Sequence, residues 1–143
     1  MVKNLVINTS GYFLNKGHIH SFVGKIKLHL QIQIEALTVN FISGNELLEI
    51  NKKYLNHDFY TDIITFNYSG NTNLIDGEIF ISYENAIENS IKYKVNISEE
   101  IGRLIIHGIL HLTGLNDKSK AEKIFMRKKE NELLNMFKFL LLQ

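Results

Sequence analysis

Cysteine, tryptophan and proline are all missing from this 143-residue chain. Without cysteine there are no disulfides, no thiolate metal cages and no thiol nucleophiles, so any metal must be held by imidazole and carboxylate. Without proline, and with nine glycines scattered singly, no linker divides the chain. Long apolar runs are missing too. Nothing approaches the ~20 consecutive apolar residues that span a bilayer, and "VKNLVINTS" after Met1 alternates in polarity, unlike a secretory leader. A cytoplasmic protein without membrane contact is expected. Nor does one sign of charge dominate: 16 basic residues stand against 15 acidic ones, for a net charge of +1. Attraction to nucleic acid would have to come from a local concentration of charge.

What is present fits one globular domain over residues 1–143, monomeric, with 45% hydrophobic residues to build its core. "NLVINTS" reads as a short strand. From Ile19 the pattern is ambiguous: Ile19, Phe22, Val23, Ile26 and Leu30 have helical spacing, while Ile26, Leu28, Leu30, Ile32 and Ile34 alternate as in a strand. A helix giving way near Gln31 is the expectation adopted. "ALTVNFIS" predicts a strand ending at Gly44, followed by a helix over about Glu46 to Tyr54. "TDIITFNYS" (61–69) and "GEIFIS" (77–82) predict two strands, joined either as a hairpin or through a functional loop. "YENAIENSIKYKV" predicts a helix with Ala86, Ile87 and Ile91 inward. The next helix is expected to start at a Ser98 cap, to carry Glu99 and Glu100 in its first turn and to stop at Gly114. A last helix runs from Ser119 to about Phe139 with Ile124, Leu133 and Leu134 inward. The sum is an α+β fold: a small mixed β-sheet of about four strands covered by helices, with a central helix bearing histidines.

That central helix ends in "HGILHLTGLND". His107 and His111 stand at i and i+4, hence on one face. Gly114 permits the chain to double back and bring in Asp117. Two imidazoles and one carboxylate would leave a fourth position for water, as at a catalytic rather than a structural zinc site. The bland reading is a pair of half-buried histidines hydrogen-bonded to backbone. The glutamate that follows the first histidine of zinc proteases as general base is here Gly108, which weakens a peptidase reading.

"HGILHLTG" with Asp117, Glu122, Met126 and Glu130 resembles the carboxy-terminal motif of the YbeY family, metal-dependent endoribonucleases of bacterial ribosomal RNA maturation. "LLEINKKYLNHDFYTDIITFNYS" and "GEIFIS" resemble that family's upstream motifs, in order and at compatible spacing. The resemblance implies an α+β fold, one Zn2+ per chain on His107, His111 and Asp117, and a single-stranded rRNA substrate. It also implies action at the 3′ end of 16S rRNA, with the ribosome or small-subunit proteins as partners.

Two departures stand out. Asp117 occupies the place of the family's third histidine; its negative charge would make a bound water less acidic. Leu55 stands where many relatives carry an arginine, leaving His57 or Arg103 as candidate substitutes. The nucleophile is expected to be water on the metal or, alternatively, the ribose 2′-hydroxyl. Asp62 and Ser82 lie in the matching strand motifs as candidates for orienting ligands or substrate, although Asp62 could equally pin a turn.

Lys118, Lys120, Lys123, Arg127, Lys128 and Lys129 are six positive charges against Glu122 alone in residues 118–129, a candidate phosphate-binding surface or simply a solvated helix. Tyr54, Phe59 and Tyr60 are candidate stacking platforms for unpaired bases or, equally, core residues. Glu122, Met126 and Glu130 recur every fourth residue and read as packing and support of the metal ligands. Two other functions remain open: a zinc hydrolase of another substrate such as peptide, with Glu78 as base, or a non-catalytic ribosome assembly factor with a structural metal.

Overall fold

A computed structural model describes residues 1–142. The chain runs β1 (Leu5–Asn8), α1 (Lys16–Leu30), β2 (Gln33–Ile42), α2 (Gly44–Leu55), β3 (Ile63–Asn67), β4 (Leu74–Ser82), α3 (Tyr83–Tyr93), α4 (Ile97–Leu112) and α5 (Lys120–Phe137), then a short 3-10 turn over Lys138–Leu140. The four strands form one mixed sheet in the order β1-β2-β4-β3. β1, β2 and β4 run parallel, while β3 returns antiparallel to β4, so the joining residues close a hairpin. The α+β architecture read from the sequence is thus the one observed.

Local chemistry explains most boundaries. α1 stops where Gln31 adopts a left-handed conformation and caps it, and β2 starts two residues later. β2 begins at Gln33, ahead of the strand expected from Ala36, and takes in the alternating Ile34; its register shifts between Ile34 and Ala36. Ser43 and Ser119 each form a capping box, with Glu46 and Glu122 respectively. α4 departs from expectation at its start: Asn96, not Ser98, is the cap, and its side chain accepts a hydrogen bond from the Ser98 amide.

One face of the sheet packs on helices. Leu37, Val39 and Phe41 of β2 and Ile75, Ile79 and Ile81 of β4 share a core with Phe22 and Ile26 of α1 and Leu104, Ile105 and Ile109 of α4. Each such fully buried side chain is worth roughly 1.5–3 kcal/mol of transfer free energy. α4 is therefore a firmly anchored platform. It lies so close to β4 that a Cβ on Gly108 would sit 2.7 Å from Ile79 Cδ1, so the position after His107 has no room for a glutamate. On the opposite face α2 covers a second cluster of Ile42, Leu47 and Ile64.

Two helices are rotated relative to their apolar pattern. α3 buries Ala86 and Ser90, while Ile91 is 73% exposed and Ile87 also faces solvent. Small residues let α3 sit close, and Asn89 is spent on polar contacts beside α4. In α5 the buried residues are Met126, Glu130 and Leu133, with Ile124 61% exposed. Leu133 is inward as expected, and the carboxylate of Glu130 is buried on the same face where Ile124 is not. Among the described residues no helix is long and apolar enough to cross a membrane.

Candidate metal centre

His107 and His111 occupy the last two turns of α4, on the edge that leaves the core, and both are partly exposed. Beyond Leu112 the chain reverses at Gly114, whose φ of +100° belongs to the left-handed region that glycine adopts freely. The Gly114 and Leu115 amides donate to the His111 and Leu110 carbonyls, closing the helix end and sending Asp117 back over it.

Three donor atoms meet there. His107 Nε2 and His111 Nε2 are 3.0 Å apart, and Asp117 Oδ2 lies 3.5 Å from the first and 3.4 Å from the second. Among the described residues this is the cluster of three or more side chains suited to hold a metal ion. Ligands at about 2.0–2.1 Å from a tetrahedral zinc lie about 3.3 Å from one another, so this triangle already has the size zinc needs. Imidazole nitrogens and a carboxylate oxygen are also its usual donors. The residues present fit the ion.

Two clefts meet at this triangle. One of about 330 Å³ is walled by Thr61, Asp62, Ile63 and Thr65 opposite His107, His111 and Asp117. The other, about 230 Å³, is formed by Arg103, His107, Asp117, Lys123, Met126, Arg127 and Glu130. His107 and Asp117 border both.

The remaining candidates separate clearly. Asp62 lines the first cleft, where its Oδ2 accepts from Asn89 Nδ2 at 3.1 Å. Lys123 and Arg127 line the second, whereas Lys118 and Lys120 are exposed outside both. Ser82 is wholly buried and caps α3, accepting from the Asn85 amide, so it is placed as a helix cap and not against the cleft. His57 is exposed, stacked on Phe59 with ring centroids 5.0 Å apart, and lines neither cleft. Tyr54, Phe59 and Tyr60 are exposed aromatics rather than core residues. Glu78 is bound to Tyr68 and Asn40 and is absent from both cleft linings.

Arg103 is not free to take the place of the family arginine. Its guanidinium donates twice to Glu100, at 2.9 and 2.5 Å, and once to Glu130 at 3.3 Å, with Asp62 3.9 Å away. Burial alone would lower its pKa, but the bond to Glu100 and the charges of Glu100, Glu130 and Asp62 raise it overall, so it stays a cation. Glu130 in turn lies 2.6 Å from His107 Nδ1. Glu122 caps α5, and hydrogen bonds from Ser119 hold its carboxyl below the usual carboxylate range. Glu100 and Asn89 belong to this network although nothing in the apolar pattern marks them; the i,i+3 spacing of Glu100 and Arg103 was the available signal.

Comparison with known proteins agrees with the geometry. The family model described as endoribonuclease YbeY matches residues 14–138. The endoribonuclease YbeY of Flavobacterium psychrophilum is 50% identical over 97 residues, covering 68% of this chain and 69% of the relative. That of Cytophaga hutchinsonii is 38% identical over 124 residues, 87% of each chain. A solution structure of a Thermotoga maritima protein shares the fold at a TM-score of 0.63 and 24% identity, covering 92% of this chain and 90% of that one. Family membership and the His/His/Asp cluster together support metal-dependent hydrolytic chemistry of the YbeY type. The chain belongs to the YbeY endoribonuclease family.

Proposed function

We propose that this protein is a zinc-dependent endoribonuclease that hydrolyses single-stranded RNA, acting in the cytoplasm on the 3′ end of 16S rRNA and in ribosome quality control. The observation that carries the reading is the triangle of His107, His111 and Asp117 at the junction of two open clefts. One zinc held by these residues would supply Lewis acidity toward a phosphodiester and lower the pKa of water, the two needs of phosphodiester hydrolysis.

The protein's own groups divide the rest of the work. Lys123 and Arg127 line the second cleft and face the backbone phosphates of a strand lying there, giving affinity without sequence preference. Lys118 and Lys120, exposed just outside, extend that positive rim along the strand. Asp62 is anionic and would repel phosphate, which suits it to accept a hydrogen bond from a ribose hydroxyl or a water opposite the triangle. Leu55 has no charge to offer a phosphate and Arg103 is committed to three carboxylates, so phosphate recognition falls to the α5 side of the site.

The direct test is cleavage of a labelled single-stranded RNA and of the same sequence as a duplex, by wild type and by His111→Ala. Zinc-dependent cleavage of the single strand alone, lost in the variant, is the expected result. Equal background with both proteins would instead favour a ribosome assembly factor with a structural metal.

A further inference from the structure

We infer that Glu130 is a positioning residue that sets which ring nitrogen of His107 carries the proton, and that Arg103 holds Glu130 to this task. The inference rests on the proposed role of His107 as a metal ligand and extends it to the buried side of the ring.

His107 is gripped at both nitrogens. Nε2 belongs to the triangle with His111 and Asp117, while Nδ1 is 2.6 Å from Glu130 Oε2. An ionised carboxylate only accepts hydrogen bonds, so Nδ1 is the nitrogen that must carry hydrogen. The neutral ring then has its lone pair on Nε2, the form in which imidazole binds a metal, and a carboxylate behind it makes that lone pair more basic. Glu130 has little freedom to leave: it is 2% exposed, on α5 between the buried Met126 and Leu133.

The second oxygen of Glu130 accepts from Arg103 Nη1 at 3.3 Å. Arg103, 14% exposed at its side chain, is itself fixed by two bonds to the buried Glu100. Asn89 Nδ2 bridges Glu100 Oε2 at 3.0 Å and Asp62 Oδ2 at 3.1 Å. One polar network thus joins α3, α4 and α5 and ends on the two walls of the first cleft, at His107 and at Asp62. Its formal charges are three carboxylates against one guanidinium, a surplus of negative charge directly behind the histidine. Such a surplus favours a cation on the ring's other side.

The test uses the full-length protein in two measurements. Long-range proton–nitrogen NMR of the metal-free chain at pH 8 reads the tautomer of His107, and chelator competition with Zn2+ reads affinity. Wild type is compared with Glu130→Gln, which keeps an acceptor but not the charge, and Glu130→Met, which removes both. Wild type should carry the His107 proton on Nδ1, Glu130→Met should shift it wholly or partly to Nε2, and zinc binding should weaken about 10- to 100-fold, with Glu130→Gln between. A wild-type proton on Nε2 would overturn the inference, as would a folded Glu130→Met that binds zinc within about twofold of wild type. If Glu130→Met does not fold, the wild-type spectrum and Glu130→Gln decide. If wild type binds no zinc the proposed function fails, and the tautomer spectra still judge Glu130 on their own.

Discussion

The two nitrogens of His107 look into opposite surroundings. In front, Nε2 faces His111 and Asp117 at the junction of two open clefts, with basic side chains at the rim. Behind, Nδ1 faces Glu130, which joins Arg103 and Glu100 in a compact, largely buried polar network whose outer edge, at Arg103 and Glu130, lines the second cleft. The front has the donors and openness that chemistry on a large substrate needs. The back has the burial and fixed hydrogen bonds that keep a ligand in place. In the front, exposed charges act through solvent and are screened by salt; behind, the same kinds of charge act at short range with little screening. Loss of a group should therefore read out differently on the two sides.

The largest effect is expected in front. His111→Ala removes a metal ligand and should lower zinc-dependent RNA cleavage by several kcal/mol of barrier, about 10³-fold, without unfolding a partly exposed helix end. Single-turnover cleavage beside circular dichroism checks both halves of that statement. Cleavage within a few fold of wild type would mean that the front carries no catalytic ion.

A smaller effect is expected at the rim. Lys123→Ala with Arg127→Ala should weaken RNA binding most at low salt and flatten the slope of log affinity against log salt by about 1.4, at about 0.7 per phosphate contact on a single strand. Fluorescence anisotropy with a labelled oligonucleotide over a salt series gives that slope. An unchanged slope would place the strand elsewhere and leave these cations as a solvated helix face.

The smallest effect concerns a histidine remote from both sides. His20 is buried on α1, and its Nδ1 accepts a hydrogen bond from the Val2 amide at 3.3 Å, which requires the neutral ring. Burial, with a lesser contribution from the chain's amino terminus, lowers its pKa below 6.5. The unfolded chain then takes up the proton first, so its contribution to stability is full above about pH 6.5 and declines as pH falls from there through the lowered folded value. His20→Asn should lose less stability than wild type between pH 7 and 5, measured as the shift in urea midpoint. Identical pH dependence in the two proteins would assign the acid sensitivity to other groups.

How far this could be read from sequence depends on what drives each feature. Strands, element order and the central helix follow from apolar periodicity, and the helix ends from serine, asparagine and glycine chemistry, so they were legible within a few residues. The triangle was legible too, because i,i+4 spacing and a glycine turn are local rules. The rotations of α3 and α5 were not. Ala86 and Leu133 face in as expected, but Ile87, Ile91 and Ile124 also look like inward residues, and Ser90 and Glu130 are buried in their stead. The contact of Glu130 with His107 spans 23 residues, which no window of hydrophobicity contains; the recurrence of Glu122, Met126 and Glu130 every fourth residue was the signal that pointed to it. Ser82 shows the same limit from the other side: a motif position near the cleft in sequence is a helix cap in space. Arg103 looked like a spare cation one turn before His107, and only the fold reveals the carboxylates around it.

The most direct test of the central claim is metal content by plasma emission spectrometry on untagged protein, for wild type, His107→Ala and Asp117→Ala. A three-ligand site predicts about one zinc per wild-type chain, lost in both variants. Wild-type protein prepared without chelator that carries no stoichiometric metal, or variants that keep it, would contradict the account.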